Sequence, residues 1–399
     1  MATPAVAQVT LLLLSCLAAA AGNDRDALLA FKAGVTLDPT GALRSWSNDT
    51  AICRWVGVNC SAAGRVTTLD VGARRLAGTL SPAVADLAHL EVLNLTDNAF
   101  TGAIPESLGR LGRLYYLSLC DNAFTGGVPA WLGAMPALMV LRLDTNSLSG
   151  RIPPSLANLT TIRQLSLAEN LLEGGIPEGL ARLPNLQLFN VRRNNLAGEI
   201  PPGYFNMSSL QGISLYNNEF HGKLPRDAGT RWPSLVYLYL GGNRLTGPIP
   251  ASLANATQLQ YVDLANNSFT GQVPPEIGNL CPQSLELSNN ELTATDAGGW
   301  EFLDNLTNCD VLTEIFLDDN KLGGAMPNSI TRLSRNLERL SLASNRISGM
   351  IPAGIGNLVG LQRLSLASNR ISRMIPAGIG NLVGLERLYL DSNLITGWG

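Results

Sequence analysis

Leucine recurs along this chain in a fixed rhythm. In residues 114–137, LYYLSLCDNAFTGGVPAWLGAMPA, the order of apolar and polar positions is LxxLxLxxNxhxGxhPxxhxxhxx, with h apolar, and the same frame returns every 24 residues. The alternation in LxLxx predicts a short strand whose leucines face inward and whose intervening residues face outward. The apolar-proline pair predicts an extended return segment, and the later h-x-x-h positions close the core from the convex side. One such unit cannot bury its own leucines. Stacked copies can, so the pattern predicts a curved, right-handed solenoid of α/β repeats, with short parallel strands on the concave face.

Two positions break the apolar rule. Asparagine holds the ninth place from Asn98 through Asn122, Asn146, Asn170, Asn194, Asn218, Asn243, Asn267, Asn290, Asn320, Asn345 and Asn369 to Asn393, with one six-residue insertion before Asn320. A buried amide there can satisfy backbone groups of its own turn and of the next coil, which predicts a ladder of asparagines. Glycine at the thirteenth place suits a backbone with positive φ. Residues Leu337–Gly360 return as Leu361–Gly384 with two changes, Glu338 to Gln362 and Gly349 to Arg373. A whole extra repeat leaves every interface intact. Arg373, however, occupies the glycine place, where a side chain costs roughly 1 kcal/mol.

The periodic region is read as residues 66–399, about fourteen repeats, and the segment before it as an N-terminal cap over residues 23–65. Residues 1–22, with the apolar run Val9–Leu17 followed by Ala18–Gly22, read as a signal peptide. Eight Asn-x-Ser/Thr sequons agree with a secretory route and are candidate glycosylation sites: Asn48, Asn59, Asn94, Asn158, Asn206, Asn255, Asn266 and Asn305. A glycan on Asn94, at a concave position, would mask that end of the face. No later run is long and apolar enough to span a bilayer. With 15% charged residues and a net charge of -3, nothing points to a nucleic-acid partner.

The repeat resembles the plant extracellular leucine-rich repeat class, whose consensus is LxxLxLxxNxLtGxIPxxLGNLxxL. The cap resembles the one that precedes such repeats, with Asp26–Lys32 (DALLAFK) on a helix and CRWVGVNC, Cys53 to Cys60, behind it. Within that cap, Asn23 is expected to cap a helix whose apolar face is Leu28, Leu29 and Phe31, with Trp46 and Trp55 completing the plug. Cys53 and Cys60 are expected to form a disulfide. The irregular stretch 291–312, ELTATDAGGWEFLDNLTNCDVL, resembles the W-x-F-L…L-x-N-C insertion of receptor kinases for bacterial flagellin and elongation factor Tu. The resemblance implies a receptor ectodomain that binds a peptide or protein ligand and pairs with a co-receptor ectodomain. It also implies a membrane helix and a cytoplasmic kinase beyond Gly399, so the sequence reads as a truncated ectodomain, extracellular in the apoplast or tied to the plasma membrane.

In such a solenoid the residues between strand leucines line up in columns on the concave face. Along the sixth to ninth repeats these columns hold Arg192, Arg193, Tyr216, Tyr237, Tyr239, Tyr261 and Asp263. Tyrosine and arginine are enriched where interfaces concentrate their energy, so these seven form the candidate ligand site. A second column, Arg339, Arg363 and Arg387, arises in part from the duplication.

Outside the signal peptide the cysteines number five, an odd count. Cys120 falls on the concave strand and is expected to be an exposed free thiol. Cys309 stands where other repeats place leucine, and a bridge to Cys281 on the neighbouring coil is an alternative to inert burial. His89 and His221 lie far apart on loop positions with no Cys-x-x-Cys nearby, so no metal site is expected. Asp318-Asp319 has no acid–base partner, and Gly354, Gly356 and Gly360 repeat as Gly378, Gly380 and Gly384. The reading is therefore recognition rather than catalysis, with no cofactor. The alternatives in another class are a soluble apoplastic inhibitor of a microbial wall-degrading enzyme, a decoy, or a relic without function.

Overall fold

The computed structural model describes residues 24–398, and for Trp398 the backbone alone. The expected signal peptide and the Asn23 cap lie outside the described residues. The chain forms two compact units, Met1–Asn194 and Asn195–Gly399, each built from the same coil.

The first unit opens with a helix, α1, over residues 24–34. Its buried face is Asp24, Ala27, Leu28 and Phe31, the i, i+3, i+4, i+7 spacing of a helix that covers a core. Leu29, expected on that face, is half-buried instead, because the 3.6-residue period carries it round to the flank. Phe31 meets Trp46 at 5.8 Å between ring centroids, and Trp46 stacks on Trp55 at 5.3 Å. Phe31 also meets Phe100 of the repeats at 5.8 Å. Each indole satisfies its N–H, Trp46 on the Val56 carbonyl and Trp55 on the Thr50 hydroxyl. Asp24 is fully buried, and the Arg65 guanidinium donates to both its carboxylate oxygens at 2.7 and 2.9 Å. Cys53 and Cys60 are bonded, with a Cα separation of 5.6 Å.

From there each coil has three sides. On the first, three-residue strands pair in parallel and in register: in the first unit Val92–Asn94, Tyr116–Ser118, Val140–Arg142, Gln164–Ser166 and Leu188–Asn190. In the second unit the same ladder runs from Gly212–Ser214 through Tyr237–Tyr239, Tyr261–Asp263, Ser284–Glu286, Glu314–Phe316, Arg339–Ser341 and Arg363–Ser365 to Arg387–Tyr389. The central residue of each points into the core, as Leu117, Leu238 and Leu285 do.

The return segment is more ordered than the sequence pattern suggested, because it forms a second parallel ladder. In the first unit Ala99–Ala103, Ala123–Gly127, Ser147–Arg151 and Leu171–Gly174 pair in turn, and in the second Asn195–Glu199, Glu219–Lys223 and Arg244–Gly247 do the same. One apolar residue per strand, such as Phe100, Phe124 or Leu148, is buried, so extended backbone already held beside its neighbour completes a sheet. The third side is a 3-10 turn that starts after proline, as in Glu106–Arg110 and Ala251–Asn255, and sets Leu108 and Leu253 into the core.

The asparagine ladder joins these sides. In the first unit the Asn146 amide donates to the carbonyls of Leu143, Asp144 and Leu119 at 2.9–3.2 Å, while its oxygen accepts from the Phe124 N–H at 2.9 Å. In the second, Asn267 donates to Leu240, Leu264 and Ala265 and accepts from Leu245. The residue before each such asparagine is left-handed, with φ near 50° at Asp121, Thr145, Glu169 and Arg193. That turn aims the amide inward.

The insertion before Asn320 is absorbed on the outer side. A short 3-10 turn, Gly298–Trp300, leads into a helix, α2, over Glu301–Leu306. Trp300, Phe302, Leu303 and Leu306 are buried, and the Trp300 indole donates to the Gly323 carbonyl at 3.0 Å. Cys281 and Cys309 are bonded across it, with a Cα separation of 5.0 Å.

Arg373 adopts φ 69°, close to the 81° of Gly349 in the parent copy, and the pairing register slips between Arg373 and Met374. A Cβ carried in that conformation strains the backbone. Arg373→Gly is expected to raise the unfolding free energy by about 1 kcal/mol, measured by urea denaturation. Unchanged or lowered stability would show that the register slip has already relieved the strain.

Candidate functional site

Because the three-residue strands from Gly212–Ser214 to Arg363–Ser365 bury their middle side chains, the flanking residues face out, and parallel register stacks them into columns. On the second unit one column runs Tyr237, Tyr261, Ser284, Glu314, Arg339, and the next runs Tyr239, Asp263, Glu286, Phe316, Ser341. Tyr237 and Tyr261 stack with centroids 5.1 Å apart and planes 14° from parallel, and Tyr237 meets Tyr239 at 6.2 Å. Tyr237 is 39% exposed; Tyr216, Tyr239 and Tyr261 are half-buried. The Tyr261 hydroxyl donates to Gln283 Oε1, which fixes its ring.

These rings border a hollow of about 340 Å³ lined by Tyr239, Tyr261, Asp263, Gln283, Ser284, Glu286, Glu314 and Phe316. An adjoining hollow of about 280 Å³ is lined by Tyr216, Asp263, Asn266, Glu286, Ser288, Phe316 and Asp318. Asp263 accepts from the Ala265 N–H at 3.0 Å and Glu286 from the Ser288 N–H at 3.0 Å. Burial raises the Asp263 carboxyl to about 6 and Glu286 to about 7, the latter helped by the charges of Asp263 and Asp318. Burial likewise pushes the Tyr239 phenol up, with Tyr237, Tyr261 and Asp263 adding to it. Asp318 is committed to the frame: it accepts from the Ala343 N–H at 2.9 Å and from the hydroxyls of Ser341 and Ser288.

The structure thus brings Tyr216, Tyr237, Tyr239, Tyr261 and Asp263 onto one face of the second unit. Arg192 and Arg193 belong to the first, where both reach Glu169 Oε1, at 2.9 and 3.6 Å. Arg193 sits at the left-handed turn position. The sequence reading stopped at Asp263 and missed Gln283, Glu286, Glu314 and Phe316. Their signal was present, since Glu286, Glu314 and Phe316 occupy the same strand places one and two repeats further on and Gln283 directly precedes its strand, but a shortened repeat and the insertion hide the register there.

Cys120 requires a correction. It is free, as expected, yet fully buried rather than exposed. The next coil covers it: its thiol lies 3.1 Å from Asp144 Oδ2, and burial with that charge pushes it up to about 11, far from a reactive thiolate. Of the sequons, Asn48, Asn59, Asn158, Asn206, Asn255 and Asn266 are exposed. Asn94 and Asn305 are half-buried, and their amide nitrogens donate to Asp70 Oδ1 and to the Pro275 carbonyl. Among the described residues no group of three or more His, Cys, Asp or Glu could hold a metal ion, and no helix is long and apolar enough to cross a membrane.

Comparison with known proteins agrees with this architecture. The leucine rich repeat N-terminal domain matches residues 21–61, and leucine rich repeat models match 184–245 and 335–395, with further repeats at 89–111, 137–159 and 258–280. The receptor kinase-like protein Xa21 of Oryza sativa subsp. japonica is 44% identical over 78 residues, covering 20% of this chain and 8% of that protein. The LRR receptor-like serine/threonine-protein kinase EFR of Arabidopsis thaliana is 38% identical over 102 residues, 24% of this chain and 10% of its own. The aligned segments therefore span a tenth or less of these relatives. Among solved structures, the plant peptide hormone receptor RGFR1 in complex with RGF2 superposes with a TM-score of 0.74 at 31% identity, covering 80% of this chain and 50% of that one. What this chain shares with them is the leucine-rich repeat, a ligand-binding fold and not a catalytic domain.

The two buried carboxyls set a pH dependence. Their folded values lie above the unfolded ones of 3.8 and 4.5, so the stability linked to their protonated forms is fully present below about 4 and is lost as pH rises through about 6 and about 7. Asp263→Asn with Glu286→Gln is expected to raise the melting temperature by several degrees at pH 8 and to leave it unchanged near pH 4. Calorimetry at the two pH values checks this, and equal effects at both would remove burial as the cause.

Proposed function

We propose that this chain, which belongs to the leucine-rich repeat proteins of the plant receptor-kinase type, is an extracellular recognition module that binds a peptide or protein ligand on the strand face of its second unit. The observation that carries the reading is the stacked cluster of Tyr237, Tyr239 and Tyr261, held half out of the core on a rigid ladder. Large rings fixed before binding lose little freedom when a partner arrives, which is where interfaces gain affinity. RGFR1, in complex with RGF2, is a peptide hormone receptor on the same fold, and that likeness supports a peptide as the ligand here.

In this reading the chain is the ectodomain of a receptor-like kinase or receptor-like protein in defence or developmental signalling, capped over residues 23–65 and exported by the leader 1–22. It works outside the cell or at the plasma membrane, glycosylated at its six exposed sequons. No bond is made or broken in it. Ligand binding presents a composite surface to a co-receptor ectodomain, and Arg192 and Arg193 offer charged contacts on the first unit.

The test uses a pool of synthetic random peptides captured on the full chain and identified by mass spectrometry. Replacing Tyr216, Tyr237 and Tyr239 with Ala is expected to reduce capture of the enriched peptides at least about a hundredfold, equal to about 2.7 kcal/mol, with secretion and melting temperature nearly unchanged. Equal capture by the wild-type and substituted chains would sink the site.

A further inference from the structure

Two departures from the 24-residue frame meet on the outer side of the second unit. One is the insertion that forms α2. The other is a single extra residue between Asn320 and Asn345. It falls just after the 3-10 turn Asn328–Arg332: six residues separate Ile330 from Leu337, where five separate Ile355 from Leu361 and Ile379 from Leu385. In the later coils the leucine that closes the turn bends the chain back, with ψ 60° at Leu358 and 67° at Leu382. Leu333 is extended instead, with ψ 172°, so the chain runs on through Ser334 and Arg335 before it turns inward.

Between that loop and the end of α2 lies a hollow of about 540 Å³, larger than either hollow on the strand face and within the size range of small-molecule sites. The solenoid needs neither departure, since the coils that follow stack in the plain frame. The walls are tied down. Cys309 is bonded to Cys281, and the Asp310 carbonyl accepts from the Ser334 hydroxyl at 3.1 Å and the Asn336 amide at 2.8 Å. The Asn305 amide donates to Pro275 on the preceding coil, so that sequon faces away from the hollow.

We infer that this hollow is a second binding site, separate from the tyrosine face, and that its ligand is an acidic oligosaccharide built of uronic acid residues. The hydrogen-bonding groups that line it carry the argument. The hydroxyls of Thr307, Thr331 and Ser334 each give their hydrogen to a backbone carbonyl, those of Asp304, Asn328 and Asp310. All three therefore meet a ligand as acceptors. The Asp310 carboxylate adds a fourth acceptor at the rim. A partner must bring several O–H donors, which a polyol does and an inorganic anion does not. The donors of the site are the side chains of Asn308, Asn357 and Arg335, which are exposed and, among the described residues, make no hydrogen bond or ion pair. Arg332 already has Asp304 at 3.6 Å. Arg335 is thus the unneutralised charge of the site, and a guanidinium is best matched by a carboxylate. A neutral sugar would leave it unpaired, and an apolar ligand would strip water from all of these groups without return.

Calorimetric titration of the full chain tests this with galacturonate and glucuronate oligomers, with methyl esters of the same oligomers, and with polyglutamate. The uronates are also offered as immobilised polymers, so that a free fragment and a polymer surface are told apart. A free uronate oligomer is expected to bind at least about tenfold more tightly than its ester, which keeps the hydroxyls and loses the charge. Arg335→Glu is expected to weaken the uronate by a similar factor with the melting temperature unchanged, since the side chain is exposed and unpaired. The chain with Tyr216, Tyr237 and Tyr239 replaced by Ala is expected to bind uronates as the wild type does, so this site and the peptide face stand or fall separately. Uronates bound no better than their esters, polyglutamate bound as tightly as uronates, or affinity indifferent to Arg335→Glu would each overturn the inference.

Discussion

Each coil of this chain hangs on the side-chain amide of one asparagine. Buried away from water, an amide left unpaired would cost a few kcal/mol, yet at Asn170 and Asn290 it is more than nine-tenths buried and makes four bonds. Two of the four close its own turn, one reaches the coil before it, and the oxygen takes the N–H of the return strand. The stacking of one asparagine on the next therefore holds even where the spacing changes by a residue, as between Asn218 and Asn243 or Asn267 and Asn290. Where six residues are added before Asn320, the extra chain bulges outward as α2, while Asn320 still donates to Leu287 and accepts from Leu292 at 3.0 Å.

A frame fixed in this way leaves most outward strand positions with little folding duty, Ser341 on Asp318 being an exception, and that freedom is what recognition needs. Tyr237, Tyr261, Asp263 and Glu286 sit over Leu238, Val262 and Leu285, which carry the packing. Their identities can change without loss of the coil, so a face can be tuned to a partner while the ladder beneath stays the same. The carboxyls of Asp263 and Glu286 mark the limit of that freedom, because burial makes their ionisation work against the folded state.

Much of the fold was legible because it follows from one repeated constraint. The leucine alternation gave the first ladder, the ninth-position asparagine gave the hydrogen-bond spine, and Trp46 and Trp55 gave the plug. What escaped reading depends on neighbours in space. Cys120 occupies an outward place, but Asp144 of the next coil closes over it. The second ladder comes from return segments that carry one apolar residue and then a glycine, too short an alternation to read as strands. The left-handed turn before each asparagine is occupied by Asp, Asn or Gly in about half of the coils and by Thr, Glu, Arg or Ser in the others, so composition marks it only in part. The tyrosines were visible as a cluster; that the hollow beside them is lined by Glu286, Glu314 and Phe316 was not, because the repeat around the insertion is out of step.

Hydrogen exchange on the full chain carrying Asn267→Ala tests most directly whether the asparagine ladder holds the coils together. If it does, protection falls not only at the Leu245 N–H, which loses its acceptor, but across the coils on either side, including the Phe269 N–H that bonds to Asn290. Faster exchange confined to Leu245, with neighbouring coils as protected as before, would show that leucine packing alone sustains the solenoid and that the ladder is incidental to it.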